Sequence, residues 1–171
     1  CLENFLKRSG VREPEASHIA QAESLVFSDN PSAKAEFPGG VTIARNYDML
    51  ETALKTEGIT ARELTDELSI AGYRITCEPN TRSEQTAWSF AVVPQGKMMI
   101  RCRQEGDTIR LNAGTKSLKK LFIDKKIPAS LRNTIPVIAD DAGVLGVAGI
   151  GANVDRLSTD TNAVRITIEK L

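Results

Sequence analysis

The stretch from Lys116 to Pro128, KSLKKLFIDKKIP, concentrates more charged chemistry than any other part of this sequence. Arg101, Arg103 and Arg110 precede it and Arg132 follows it. Cationic groups of one sign in close sequence suit phosphate oxygens, lysine as a point charge and arginine as a planar fork. At about 100° per residue, Lys116, Lys119, Lys120 and Lys126 share an arc of about 120°, opposite Leu118, Leu121 and Phe122. Asp124 points away from that arc, at about 80° from Lys116, so no carboxylate interleaves with it. Ile123 and Ile127 intrude on the basic arc, and Lys125 lies on the apolar side, where its stem can snorkel. The basic face is expected to contact phosphate or RNA; the plainer alternative is a solvated lysine face.

Other chemistries find little to work with. The single histidine, His18, falls off the apolar stripe of its segment and reads as a surface residue. Cys1, Cys77 and Cys102 are far apart with no C-x-x-C pair, so they read as free thiols in a reducing compartment rather than zinc ligands. Ala113-Gly114-Thr115-Lys116-Ser117 looks like the end of a P-loop, but Ile109 stands where the first glycine is required. Gly143, Gly146, Gly149 and Gly151 do not spell a dinucleotide fingerprint and read as tight turns. Asp140-Asp141 reads as hairpin-turn chemistry. No catalytic residue, metal site or cofactor site is expected within the chain.

The elements that must carry the basic residues are short. Lys97 to Arg103 and Thr108 to Leu111 read as two strands of a hairpin turning at Gln104-Glu105-Gly106-Asp107. A helix then runs over Lys116 to Pro128, where proline ends it. Pro136 to Ala139 and Val144 to Val147 form a second hairpin, and Val164 to Ile168 alternates as a last strand. Upstream, Leu2, Phe5 and Leu6 mark one helix stopped by Gly10. A second helix follows Pro14, with Ala16, Ile19, Ala20, Val26 and Phe27 approximating its apolar stripe. Val41 to Arg45 alternates as a strand after the Pro38-Gly39-Gly40 turn, and Gly72 to Cys77 is strand-like. Between them, Thr60 and Glu63 form a capping-box pattern that favours a helix in 58–72. The class is α+β: short N-terminal helices with a small β region, then a domain with a mixed sheet and a basic helix. The polar stretch Asn80 to Gln85 suggests a boundary, and the expected domains are 1–94 and 95–171.

The 171 residues carry 22 basic and 22 acidic side chains, and this zero balance hides a split. Residues 1–88 sum to −5 and residues 89–171 to +5, with +7 concentrated in 95–135. No apolar run is long enough for a membrane span, so no membrane partner is expected.

The segment RCRQEGDTIRLNAGTKSLKKLFIDKKIPASLRNTIPVIADDAGVLGVAGIG, Arg101 to Gly151, closely resembles the C-terminal domain of bacterial tRNA(Ile)-lysidine synthetase. The family pattern R-x-R-x-x-G-D falls on Arg101, Arg103, Gly106 and Asp107; its later parts fall on Gly114, the KSLKKLF helix, Lys126, Pro128, Arg132, Pro136, Gly149 and Ile150. The helix from Ala16 to Phe27 and the string FPGGVTIARNYDML look more loosely like the end of the family's middle domain. Residues 55–95 match nothing in the pattern.

The resemblance implies an ATP-dependent ligase of the cytoplasm that joins lysine to the wobble cytidine of an isoleucine tRNA with a CAU anticodon. ATP (with Mg) and lysine are the family's substrates, handled by an N-terminal domain with an S-G-G-x-D-S loop; no such string occurs here. Together with the mid-helix opening CLENFLKRSG, this suggests the tRNA-gripping portion of a longer protein, inactive alone and needing no cofactor of its own. The resemblance and the charge pattern meet at Arg101, Arg103, Lys116, Lys119, Lys120, Lys126 and Arg132, the expected tRNA-binding residues, with the acceptor-stem backbone as partner. The competing expectation is a protein-interaction module with no RNA role, its basic face meeting an acidic surface such as that of a second copy in a homodimer.

Overall fold

The structure, a computed structural model, describes residues 1–53 and 58–171. The chain divides into two compact units, Cys1–Thr56 with Pro128–Ser130, and Glu57–Ile127 with Leu131–Leu171.

The first unit packs two helices on a small sheet. Helix α1 (Leu2–Arg8) carries a Glu3–Lys7 pair one turn apart, and Gly10 ends the segment in the left-handed region at φ 103°. Helix α2 (Ala16–Val26) starts at Glu15, whose N–H donates to His18 Nδ1 at 3.0 Å, so the lone histidine serves as a capping group. Strands β1 (Lys34–Phe37), β2 (Val41–Asn46) and β3 (Met49–Thr52) form an antiparallel meander. Leu6, Val11, Ala22, Leu25, Phe37 and Ile43 form the core. The stripe of α2 is thus rotated from expectation: Ala22 and Leu25 are buried, whereas Phe27 is 83% exposed.

The second unit is built from strands. They are β4 (Arg62–Glu63), β5 (Glu67–Ile70), β6 (Tyr73–Pro79), β7 (Ser89–Val92), β8 (Met99–Arg101), β9 (Thr108–Leu111) and β10 (Gly114–Ser117), then helix α3 (Leu118–Asp124), then β11 (Val137–Asp140), β12 (Gly143–Val147), β13 (Gly151–Ala152) and β14 (Val164–Lys170). A five-stranded sheet runs β13-β12-β11-β8-β4, and a four-stranded sheet runs β5-β6-β14-β7. Ile100, Ile138 and Leu145 from the first meet Ile75, Phe90, Ile166 and Ile168 from the second in one core. The other face of the five-stranded sheet, through Val137, Val144 and Val147, packs on Ile109, Leu118, Leu121 and Phe122 of β9 and α3. Successive residues point to opposite faces, so a sheet covered on both sides reads as the near-continuous apolar runs seen at 135–139 and 144–148.

The class is α+β as expected, with five corrections in detail. Every strand pair among the described residues is antiparallel, so the sheets are not mixed. Residues 62–63 and 67–70 are strands, not a helix: the Leu64 N–H between them donates to Met98 O at 2.9 Å, and Ala71-Gly72, both at positive φ, turn β5 into β6. The expected hairpin of 97–111 is a corner, since β8 pairs with β11 and β4 while β9 pairs with β10. No boundary falls at 94/95, because β4 pairs with β8, and β6 and β7 pair with β14. Gly146 is not a turn residue either; it sits in β12, where a Cβ would overlap the Phe90 ring.

Among the described residues no helix is long and apolar enough to cross a membrane.

Candidate nucleic-acid interface

Helix α3 is shorter than its sequence pattern suggests. Ser117 caps it, its Oγ accepting from the Lys120 N–H at 3.3 Å. At the other end Lys126 takes φ 53°, and the Ile127 N–H donates to Phe122 O at 2.9 Å, closing the last turn before Pro128 is reached. The helix therefore presents Lys119 and Lys120 to solvent, while Lys116 lies on β10 and Lys126 beyond the helix end. The expected arc of four lysines on one helix is not formed. Docking of α3 through Leu118, Leu121 and Phe122 holds as read from the sequence.

Three of the expected contact residues make ties within the unit. Arg101 makes a two-pronged pair with Asp107, at 2.7 and 2.9 Å, with both side chains mostly covered. Burial pushes the Asp107 carboxyl up, but hydrogen bonds from Arg101 and the Gln104 N–H, with the charges of Arg101 and Arg103, outweigh it and hold the group below the usual carboxylate range. Lys116 reaches Asp124 at 2.8 Å, so Asp124, expected to point elsewhere, ties β10 to the end of α3. That hydrogen bond is the main cause that lowers the Asp124 carboxyl. Arg132 donates through Nε to Ile127 O at 2.9 Å, bracing the turn after α3.

Of the remaining cations, Arg103 and Lys119 line one cavity. Lys119 and Lys120 are exposed and form no ion pair among the described residues. Arg110, exposed on β9, lies 3.6 Å from Asp155. Beside α3 opens a cavity of about 480 Å³ whose lining includes Arg103, Glu105, Ser117, Lys119 and Asn133. The turn Gln104–Asp107, held by the Arg101–Asp107 pair and by Gly106 at φ 86°, forms another wall. The Arg103 side chain lines the cavity, and its Nε is buried with no hydrogen-bond partner among the described residues. Ser117 and Asn133 were missed from sequence: nothing in a lone serine or asparagine distinguishes a wall residue from a cap or a turn. Among the described residues no group of three or more His, Cys, Asp or Glu is placed to hold a metal.

Fold and site together define an antiparallel α+β module with a cationic edge between a turn and a short helix. Residues 98–168 match the model of a family described as the TilS substrate C-terminal domain. The tRNA(Ile)-lysidine synthase of Bacillus licheniformis is 27% identical over 97% of this chain, which spans 38% of that protein. The bifunctional protein TilS/HprT of Listeria innocua is 30% identical over 85% of this chain, which spans 25% of it. A crystal structure of a TilS C-terminal domain shares the fold with a TM-score of 0.51 at 24% identity, covering 66% of this chain and 98% of that one. The chain thus matches the C-terminal portion of the tRNA(Ile)-lysidine synthases, the family that its segment Arg101 to Gly151 resembles.

Proposed function

We propose that this chain is the tRNA-binding C-terminal portion of a cytoplasmic ATP-dependent ligase that joins lysine to the wobble cytidine of an isoleucine tRNA with a CAU anticodon. The observation that carries the reading is the cationic edge itself: Lys119, Lys120 and Arg103 lie within the residues matched by the family model. Duplex RNA presents phosphates and 2′-hydroxyls rather than readable base edges in its deep groove, so a rigid module with fixed cations reads its shape. The acceptor-stem backbone is the duplex assigned to it.

The chain's share of the work is positional. Gripping tRNA away from the anticodon converts a bimolecular encounter into a held geometry, and differences in grip help to discriminate between tRNAs. The residues here do not fit Mg–ATP, lacking both a phosphate-cradling glycine loop and, among the described residues, a carboxylate cluster. On this reading the family's catalytic domain carries out adenylation of the cytidine and displacement of AMP by the lysine amine, and the chain alone is expected to form no lysidine.

Fluorescence anisotropy with the isoleucine tRNA tests the reading. Lys119→Ala/Lys120→Ala is expected to weaken binding and to flatten the dependence of log affinity on log salt by roughly 0.9 for each phosphate that is no longer neutralised. Unchanged affinity and slope in the double variant would show that RNA does not bind at this edge.

A further inference from the structure

The cationic edge contains one group whose hydrogen bonding is incomplete. Arg103 Nε is buried without a partner, whereas the neighbouring Arg101 is fully engaged by Asp107. An unpaired buried donor is rare and costs about 1–3 kcal/mol, so such a group in a native structure calls for an acceptor. The described residues supply none, and the cavity that Arg103 lines has donors on its other walls. Lys119 contributes an ammonium. The Ser117 oxygen already accepts from the Lys120 N–H, which leaves its hydroxyl hydrogen to donate into the cavity. Asn133 adds a side-chain amide with no hydrogen bond among the described residues.

The acidic side chains do not cancel this set. Asp107 is neutralised by Arg101, and the Gln104 N–H occupies one of its oxygens at 2.6 Å. Glu105 is exposed on the wall and would oppose an anion, so the site has one removable repulsive charge. Two cations and two neutral donors around a cavity match a tetrahedral oxyanion better than a carboxylate or an apolar side chain.

We infer that Arg103, with Lys119, Ser117 and Asn133, forms a discrete subsite for one backbone phosphate of an RNA strand, in which the arginine fork supplies geometry and not charge alone. The inference rests on the tRNA reading for the source of the phosphate. It goes beyond that reading in separating a built pocket, which includes Lys119, from the exposed Lys120 beside it on α3. It also reassigns the paired arginines: Arg101 shapes the turn and Arg103 takes the ligand.

Two measurements on the whole chain test it. In the first, inorganic phosphate is titrated while the arginine Nε–H resonances are followed by NMR. One resonance, absent from Arg103→Lys, is expected to shift as phosphate fills the site. In the second, tRNA binding is measured across a salt series. Arg103→Gln is expected to weaken binding and reduce the slope by roughly 0.9. Arg103→Lys should weaken binding while keeping the parent slope, because charge is retained and the fork is lost. Glu105→Gln should tighten binding.

If tRNA binds normally to Arg103→Lys and Arg103→Gln but poorly to Lys119→Ala/Lys120→Ala, the subsite is wrong and the tRNA reading stands. A phosphate-induced shift without any tRNA binding overturns the RNA source and the tRNA reading together. Absence of any shift with phosphate overturns the pocket itself. Should Arg103→Gln fail to fold, the phosphate titration and Arg103→Lys still decide the matter.

Discussion

At the scale of single residues, neighbouring cations in one motif have opposite duties. Arg101 and Arg103 are two positions apart, yet one is saturated by Asp107 and the other lines the cavity with an unmatched donor. Asp107→Asn removes the charge that engages Arg101 in a mostly covered setting and should cost about 2 kcal/mol, read as a lower midpoint in urea unfolding. A second covered carboxylate, Asp140, behaves alike. It accepts from the N–H groups of Gln95 and Ala142 and from both terminal nitrogens of Arg156. Burial raises it, but Arg156 and the two N–H groups win and lower it overall. Both carboxyls titrate lower in the folded state, so their stabilisation is complete above the unfolded value of about 3.9 and is lost as pH falls through the folded value. Stability should therefore be flat from pH 7 to about 5 and decline below about 4, with a shallower decline in Asp107→Asn. A urea midpoint that rises on acidification would contradict this.

At the scale of elements, what was legible in the sequence depended on whether the deciding contacts are local. The runs at 135–139 and 144–148, the Asp140-Asp141 turn and the final strand were plain, because burial on both faces and tight turns leave distinct signatures. The basic segment was legible as chemistry but not as geometry. Its charge pattern continues smoothly through Asp124, yet Lys126 in the left-handed region stops the helix early, a position usually given to glycine. The span 58–72 misled because Thr60 and Glu63 carry a local helix signal, while the bond that fixes Leu64 comes from distant Met98. Thr60 and Glu63 therefore show how a nearby pattern yields to tertiary pairing. Gly146 was legible as glycine and misread as a turn, since its neighbour Phe90 belongs to the facing sheet. Gly146→Ala should destabilise by about 1–3 kcal/mol through overpacking against that ring, measurable by urea unfolding. An unchanged midpoint would mean that the ring moves aside freely.

At the scale of the whole molecule, the second unit is a two-sheet core whose outer layer, β9, β10 and α3, carries the cationic edge. The charge split along the chain takes on spatial meaning there, with the +7 stretch of 95–135 supplying both walls of the cavity. One further consequence follows from strand order. Strand β14 is inserted between β6 and β7, pairing along seven residues with the first and four with the second. During synthesis, the four-stranded sheet cannot close until Val164–Lys170 has left the ribosome, so β6 and β7 must wait with open edges. A nascent chain released before Val164 leaves β6 with one open edge beside β5, β7 without a strand partner and the apolar core uncovered, the template for edge-to-edge aggregation. Truncation at Ala163 is expected to give insoluble protein, checked by partitioning after expression, with recovery when a peptide of residues 164–170 is supplied during refolding. A copy that stops short of β14 therefore lacks the strand that closes the four-stranded sheet.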